Sequence, residues 1–287
     1  MIWRCRDREF DLSTRALVMG VVNVTPDSFS DGGRFLAPEA AIDHARRLLA
    51  EGADLLDLGA ESTRPGAAPV PAGEQWRRLQ PVIAALAAEP EACLSVDTSS
   101  AEVACRALEA GARVINDVTA LGDPAMAETV ARAGAGLVLM HMQGMPATMQ
   151  QEPRYEDVAR EVRERLAERV ARARAAGVDP ACVAVDPGIG FGKTLRHNLE
   201  LIARLGELAA LGRPIAIGVS RKSFLGKVLD RPVDQRLEGG LAAAAVAVFL
   251  GAHVVRTHDV APTARAVRIA DELRAARRIA PLPRPAS

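Results

Sequence analysis

Aromatic side chains are scarce in this chain. Six Phe, two Trp and one Tyr make up 3 % of its 287 residues, so the core must be built from Leu, Val, Ile and Ala. Net charge is missing as well, because 36 Lys+Arg stand against 36 Asp+Glu. A balanced chain has no global electrostatic footprint for nucleic acid or an anionic membrane, and neither is expected as a partner. Cysteine is limited to Cys5, Cys93, Cys105 and Cys182, with no C-x-x-C pair among them. Arg4, Arg6, Asp7 and Arg8 interrupt any early apolar run, so the reading is a chain without a signal peptide. Reduced thiols and a cytoplasmic location go with that reading. The Ala- and Gly-rich run 239–255 falls short of the ~20 apolar residues of a membrane span, and Gly251 splits it. A buried helix leading into a strand is expected there. What remains, 49 % hydrophobic and 25 % charged, is the profile of a soluble globular protein rather than a disordered one.

Short β-type runs recur at 17–22, 55–58, 94–96, 114–115, 137–140, 183–185, 215–219 and 253–255. Helix-like stretches separate them, at 39–51, 73–88, 101–110, 125–133, 157–176, 195–211, 235–250 and 262–278. Glycine often closes these stretches, at 52, 111, 134, 177, 212 and 251. Pro38 and Pro124 suit first helical turns, with Asp123 as an N-cap. Eight strand–helix units with near-continuous apolar strands describe a parallel sheet covered on both faces. Nothing between the units resembles a flexible linker. One (β/α)₈ barrel over 15–278 therefore explains the length better than two domains, with a doubly wound open sheet as the structural alternative. Residues 1–14 alternate around Asp7–Arg8 and are expected to form a small hairpin outside the barrel. The proline-bearing tail, 279–287, is expected to be disordered.

The chemistry collects where the apolar runs end. Asn23, Asp57, Asp97, Asn116, His141 and Asp186 end the first six; Ser220 and Lys222 follow the seventh, and Arg256 with His258 closes the eighth. In a barrel these strand ends converge on one mouth, where active sites sit. Alternation places Arg256 and His258 on one face as an anion site, and sets Asn116 opposite Asp117. The alternative is a surface arginine beside a helix-capping histidine. The stretch from Asp186 through Gly188, Gly190, Gly192 and Lys193 to Thr194 invites a phosphate-loop reading. It fails on spacing, since Pro187 and Lys193 stand where that loop requires glycine. Its glycines are instead expected to let a ligand approach the backbone beside Asp186. Two loops, 23–33 and 59–71, are long enough to act as lids, or else are tolerated surface insertions.

The sequence is also recognisable. The run from Gly20-Val-Val-Asn23 through Thr25-Pro-Asp-Ser-Phe29-Ser-Asp31 to Gly33 resembles the first signature of the dihydropteroate synthases. Gly59-Ala-Glu-Ser-Thr63-Arg64-Pro65-Gly66 resembles their second loop. Ser95-Val-Asp97-Thr, Ile115-Asn116-Asp, Leu139-Met-His141, Asp186-Pro-Gly-Ile-Gly-Phe191, Ser220-Arg-Lys222-Ser223 and Arg256-Thr-His258 complete the set in order. Ala60 and Gly240 depart from the family, which often has Gly and Ser there, but neither change removes a ligand-binding side chain.

The resemblance implies a transferase of folate biosynthesis. It would condense 7,8-dihydropterin-6-ylmethyl diphosphate with 4-aminobenzoate, release pyrophosphate, use Mg²⁺ and be competed by sulfonamides. It gives Asp186 and Asn116 to the pterin edge, Asp97 to the reduced ring, Lys222 to the carbonyl region, and Arg256 and His258 to the diphosphate. Asn23 becomes the Mg²⁺ ligand. Phe29, Thr63, Pro65 and Phe191 shape the aminobenzoate pocket, Ser223 receives its carboxylate, Arg64 closes over phosphate, and Asp31 stabilises a cation or orders its loop. An empty site is expected to be open and hydrated, because burying such groups is costly. Within a neutral chain, Arg64, Lys222, Arg256 and His258 would form a local basic cluster. His44, His197, His253 and His141 are expected to be structural, and Cys93 and Cys182 small packing residues. The family is usually dimeric, and the helices at 235–250 and 262–278 offer a homodimer interface. Two other classes stay open: a pterin-binding homologue without turnover, and a methyltransferase barrel, which the Arg256–His258 pair disfavours.

Overall fold

A computed structural model describes residues 1–25, 37–61, 69–144 and 148–279. Ten strands and nine α-helices are assigned among them. The first two strands, β1 (Ile2–Cys5) and β2 (Arg8–Asp11), form an antiparallel hairpin. The remaining strands are β3 (Leu17–Asn23), β4 (Leu55–Gly59), β5 (Leu94–Asp97), β6 (Val114–Asp117), β7 (Gly136–Met140), β8 (Val183–Asp186), β9 (Ala216–Gly218) and β10 (Val254–Thr257). They lie in the order β8-β7-β6-β5-β4-β3-β10-β9, every resolved pair parallel. A parallel bridge between Val185 and Ile215, with Val185 N–H donating to Pro214 at 2.9 Å, joins the two end strands. The sheet is therefore a closed eight-stranded barrel, and the open-sheet alternative is set aside. Among the described residues no helix is long and apolar enough to cross a membrane.

Strand alternation decides what faces where. Outward residues such as Val18, Leu56, Leu58, Leu94, Val96, Ile115, Leu137 and Val183 pack with the helices into one large apolar cluster. Val185, Ile215, Ile217, Val219 and Val255 belong to a second cluster with the later helices. Inward residues near the strand starts, among them Leu17, Met19, Leu55, Cys93, Val114, Val138, Ala184 and Val254, form a third cluster along the barrel axis. The hairpin belongs to this third cluster through Trp3, Cys5 and Leu12, all but fully buried. It plugs the barrel bottom rather than lying outside the barrel. Trp3 Nε1 donates to Cys182 O at 2.9 Å, and Arg6 donates to Leu108 O and Ala112 O. Burying one large apolar side chain contributes about 1.5–3 kcal/mol, which explains why a two-stranded ribbon holds its place.

The helices follow the sequence closely, with informative exceptions. They are α1 (Ala37–Ala50), α2 (Ala72–Ala87), α3 (Ala101–Glu109), α4 (Met126–Ala133), α5 (Val158–Ala175), α6 (Leu195–Ala203), α7 (Ser223–Leu229), α8 (Leu237–Phe249) and α9 (Val260–Ile279). Gly134 ends α4 at φ 59, a left-handed cap that glycine adopts without a Cβ penalty. Asp123 does not cap α4, which starts three residues later. Its two oxygens accept from Ala125 N–H and from Ala101 N–H, the latter at the first residue of α3. The expected helix over 195–211 breaks at Arg204, and Leu205–Leu211 tightens into a 3₁₀ turn. Three residues per turn bring Leu205 and Leu208 to one face, and both are buried. The tail beyond 279, and with it the expectation of disorder there, lies outside the described residues.

Candidate active site

The inward rows change character on the way up the barrel. In register, Val21, Asp57 and Ser95 form one row, and Asn23, Gly59, Asp97 and Asn116 the row above. On the other wall Ala184 gives way to Asp186 two residues later, and Val254 to Arg256, so the same inward face carries the polar ends. Two glycines leave space in this layer. A Cβ at Gly59 would lie 3.8 Å from Asp97 Cβ, and one at Gly218 would lie 3.8 Å from Arg256 Cβ.

Arg256 is the centre of the network. Its Nε donates to Asp57 Oδ2 at 2.6 Å and its Nη2 to Asp97 Oδ2 at 3.0 Å. Asp57, fully buried, also accepts from Ser95 Oγ at 2.6 Å and from Asn116 Nδ2 at 3.1 Å. Across the mouth, Asp186 Oδ1 accepts from Gly188 N–H at 2.6 Å. Lys222 Nζ lies 4.2 Å from the centre of the Phe191 ring, a cation–π contact. His258 meets Ser220 twice: Nδ1 lies 3.1 Å from Ser220 Oγ, and its backbone N–H donates to the same oxygen at 3.3 Å. Ser223 opens α7 directly after Lys222.

Burial sets the protonation states. It raises the Asp97 carboxyl, against the opposing pull of Arg256, and it raises Asp186, against Gly188 N–H and Lys222. It lowers Lys222 to about 8, with Arg256 adding repulsion. His258 falls to about 4 through burial, then through the positive charges of Arg256 and Arg221. In the ligand-free chain His258 is therefore a neutral imidazole at neutral pH.

Asp97, Asn116, Asp186, Phe191, Lys222, Ser223, Arg256, His258 and Asn23 thus stand at the strand ends or on the segments that leave them. Phe29, Asp31, Thr63, Arg64 and Pro65 lie outside the described residues. Three expectations are met only in part. Asp97, Asn116 and Asp186 are not hydrated groups, being at most 8 % exposed and hydrogen-bonded within the protein, while Lys222, Arg256 and His258 are partly exposed. Of the expected basic cluster, Arg256 is paired with Asp57 and Asp97, and Arg64 lies outside the described residues. Of the glycines after Asp186, two serve close backbone packing: a Cβ at Gly188 would sit 1.8 Å from His141 O and one at Gly192 would sit 2.4 Å from Gln143 O, whereas one at Gly190 would face the site, 3.3 Å from Lys222 Cδ.

Sequence reasoning named Asp57 only as a strand end and missed its place under Arg256. The signal was present: Asp57 and Ser95 are polar residues at inward positions of apolar strands. Lys193 was set aside with the phosphate-loop reading, yet it is 3 % exposed and makes four polar contacts. Asp117 points away from Asn116, as alternation requires, and caps a turn through Thr119 and Leu121. His197 completes a capping box with Thr194, and His253 Nδ1 accepts from Ile215 N–H, both structural.

A closed parallel barrel with a carboxylate–arginine–amide mouth is the arrangement of a pterin-binding enzyme, and the model of that family, described as pterin binding enzyme, matches residues 19–258. The chain belongs to the dihydropteroate synthase family. The dihydropteroate synthase of Escherichia coli K12 is 45 % identical over 254 residues, 88 % of this chain and 90 % of that protein. Two solved structures of the Xanthomonas albilineans dihydropteroate synthase superpose closely. One, with 4-aminobenzoic acid, has a TM-score of 0.89 at 46 % identity, covering 96 % of this chain and 98 % of the other. The other, in complex with 7,8-dihydropteroate, has a TM-score of 0.86 at 43 % identity, covering 96 % and 99 %.

Proposed function

We propose that this chain condenses 7,8-dihydropterin-6-ylmethyl diphosphate with 4-aminobenzoate, giving 7,8-dihydropteroate and pyrophosphate. The observation that carries this reading is the inward layer in which Asp186, Asn116 and Asp97 stand within one barrel mouth as Arg256 and Lys222. A 2-amino-4-oxo pyrimidine edge presents donors beside an acceptor. The Asp186 carboxylate accepts from the amino group and ring N–H, and the Asn116 amide meets the mixed pattern beside it. Asp97 faces the reduced side of the ring and Lys222 donates to its carbonyl region. Arg256 commits two of its five N–H groups to Asp57 and Asp97, which fixes the guanidinium plane and leaves donors for the diphosphate. His258 enters neutral and donates one N–H; a bound polyanion would favour its protonated form.

Pyrophosphate departs with the C–O bonding pair, the neutral arylamine nitrogen attacks the exocyclic carbon of the pterin-stabilised cation, and the nitrogen of the new C–N bond then releases one proton to pyrophosphate or water. No strong general base is needed for that attack. Phe191 forms a wall of the aminobenzoate pocket with Phe29, Thr63 and Pro65, while Ser223 at the start of α7 receives the carboxylate. Arg64 closes over phosphate and Asp31 supports the cation or orders its loop.

Asn23 is the candidate Mg²⁺ ligand. It is half-buried, it pairs in register with Gly59, and a side chain at Gly59 would fill the space towards Asp97. No group of three or more His, Cys, Asp or Glu suited to a metal exists among the described residues. One amide oxygen fits Mg²⁺, which keeps most of its waters and takes substrate phosphate oxygens. When bound, the ion would neutralise charge on the diphosphate.

The chain is read as a cytoplasmic homodimer. Val246 and Phe249 on α8, with Ile269 and Leu273 on α9, are 36–63 % exposed on two helices that pack together. Large apolar side chains left open on adjacent helices favour a protein partner.

Calorimetry tests the pterin end. The pterin diphosphate should bind the wild-type chain, and Asp186→Asn should weaken that binding about tenfold or more, because the amide cannot accept from both ring donors. Equal affinities for the two proteins would contradict the assignment.

A further inference from the structure

Lys193 has no part in the site described so far, yet its side-chain nitrogen is enclosed beneath it; burial lowers the ammonium to about 7 against the pull of Asp186, and the acceptors around it favour the charged form. Its ammonium has three N–H donors, and three acceptors meet them: Phe191 O at 2.9 Å, Gly188 O at 3.0 Å and His141 Nδ1 at 3.1 Å. For Nδ1 to accept, the ring proton of His141 must sit on Nε2. Burial lowers His141 to about 3, so the ring stays neutral and keeps that acceptor. The rest of the turn is held by neutral side chains. Gly190 N–H donates to Asn198 Oδ1 at 2.6 Å, Gly190 O accepts from Gln150 Nε2 at 2.7 Å, and Gly192 O accepts from Tyr155 Oη at 2.9 Å.

We propose that Lys193 is a positioning residue for the aminobenzoate half of the site: its ammonium clamps the turn 188–191 onto His141 and so fixes Phe191 against Lys222. The proposal rests on the assignment of Phe191 to the aminobenzoate pocket. Phe191 stands on the turn itself, with its own carbonyl in the clamp, whereas Asp186 stands on β8 and is held by strand pairing. Loss of the clamp therefore displaces Phe191 most, while the Asp186 backbone stays paired in β8 and only the Gly188 N–H contact to its carboxylate lies on the turn. A different role, in which Lys193 only offsets the charge of Asp186, would show itself at the pterin end instead.

Two measurements on Lys193→Met separate these outcomes. Amide hydrogen exchange at 188–191 should accelerate about tenfold or more while exchange in β8 stays unchanged. The KM for 4-aminobenzoate should rise about tenfold, with kcat and pterin diphosphate affinity each within about twofold of wild type. Unchanged exchange in the turn overturns the clamp. Faster exchange with an unchanged KM overturns the positioning role. Parallel losses in kcat and pterin affinity mark the Asp186 role and overturn the proposal as well. If Lys193→Met does not fold, His141→Leu removes one acceptor, leaves the ammonium two carbonyls, and should move both readings the same way by a smaller factor. A wild-type chain whose turn exchanges slowly but which forms no product from the two substrates counts against the reaction assigned above, while the exchange result still decides the clamp.

Discussion

The Arg256 side chain is held by two carboxylates before any substrate arrives. Asp57 is fully buried and Asp97 nearly so, and each accepts from a different arm of the guanidinium. Such pairing costs desolvation, and its return here is orientation: the guanidinium is fixed, as the proposed role at the departing diphosphate requires. Arg256→Ala should weaken pyrophosphate binding roughly 100-fold, about 2.7 kcal/mol, and leave 4-aminobenzoate binding within about threefold. Equal losses for the two ligands, measured by calorimetry, would contradict the division of the mouth into a phosphate end and an arylamine end. The same substitution strands Asp57 and Asp97 without their cation, so a lower melting temperature should accompany it. The residue types of this site were readable in the sequence because each interrupts an apolar run at its end. The partners of Arg256 were not. Asp57 and Asp97 meet it only because register stacks β4 and β5 beside each other, and register is a tertiary fact.

At the scale of elements, the eight barrel strands were readable because apolar runs bounded by turn residues have few other solutions. The start of α7 at Ser223 was readable too, but the break after α6 was not, since it depends on contacts made only in the fold. Arg204, at that break, donates to Asp157, Glu200 and Glu207 from three directions. The hairpin was readable as a hairpin from its alternation, but its position under the barrel follows from Trp3 filling space that the inward residues leave. Helices α8 and α9 carry a prediction of their own. Val246→Glu combined with Ile269→Glu places four new charges in the proposed two-fold interface, and should shift sedimentation from the proposed dimer to monomer. An unchanged dimer in the double variant would move the interface elsewhere.

Over the whole molecule, zero net charge has a local counterpart among the described residues. Arg256 faces Asp57 and Asp97 at the mouth, so the proposed recognition rests on which oxygen faces which donor. The scarcity of aromatics has a local counterpart too. Phe191 is one of six Phe in the chain, and it is placed on a turn saturated with hydrogen bonds rather than in the core. Below the mouth, the barrel is closed by apolar layers and the hairpin plug, which leaves the chemistry to one end. The central claim is that this end joins an arylamine to a pterin carbon as pyrophosphate leaves. Its most direct measurement is pyrophosphate release by the purified chain with Mg²⁺, the pterin diphosphate and 4-aminobenzoate. Release that requires both substrates and matches dihydropteroate formed mole for mole is the predicted result. No release, or the same release without 4-aminobenzoate, would contradict it.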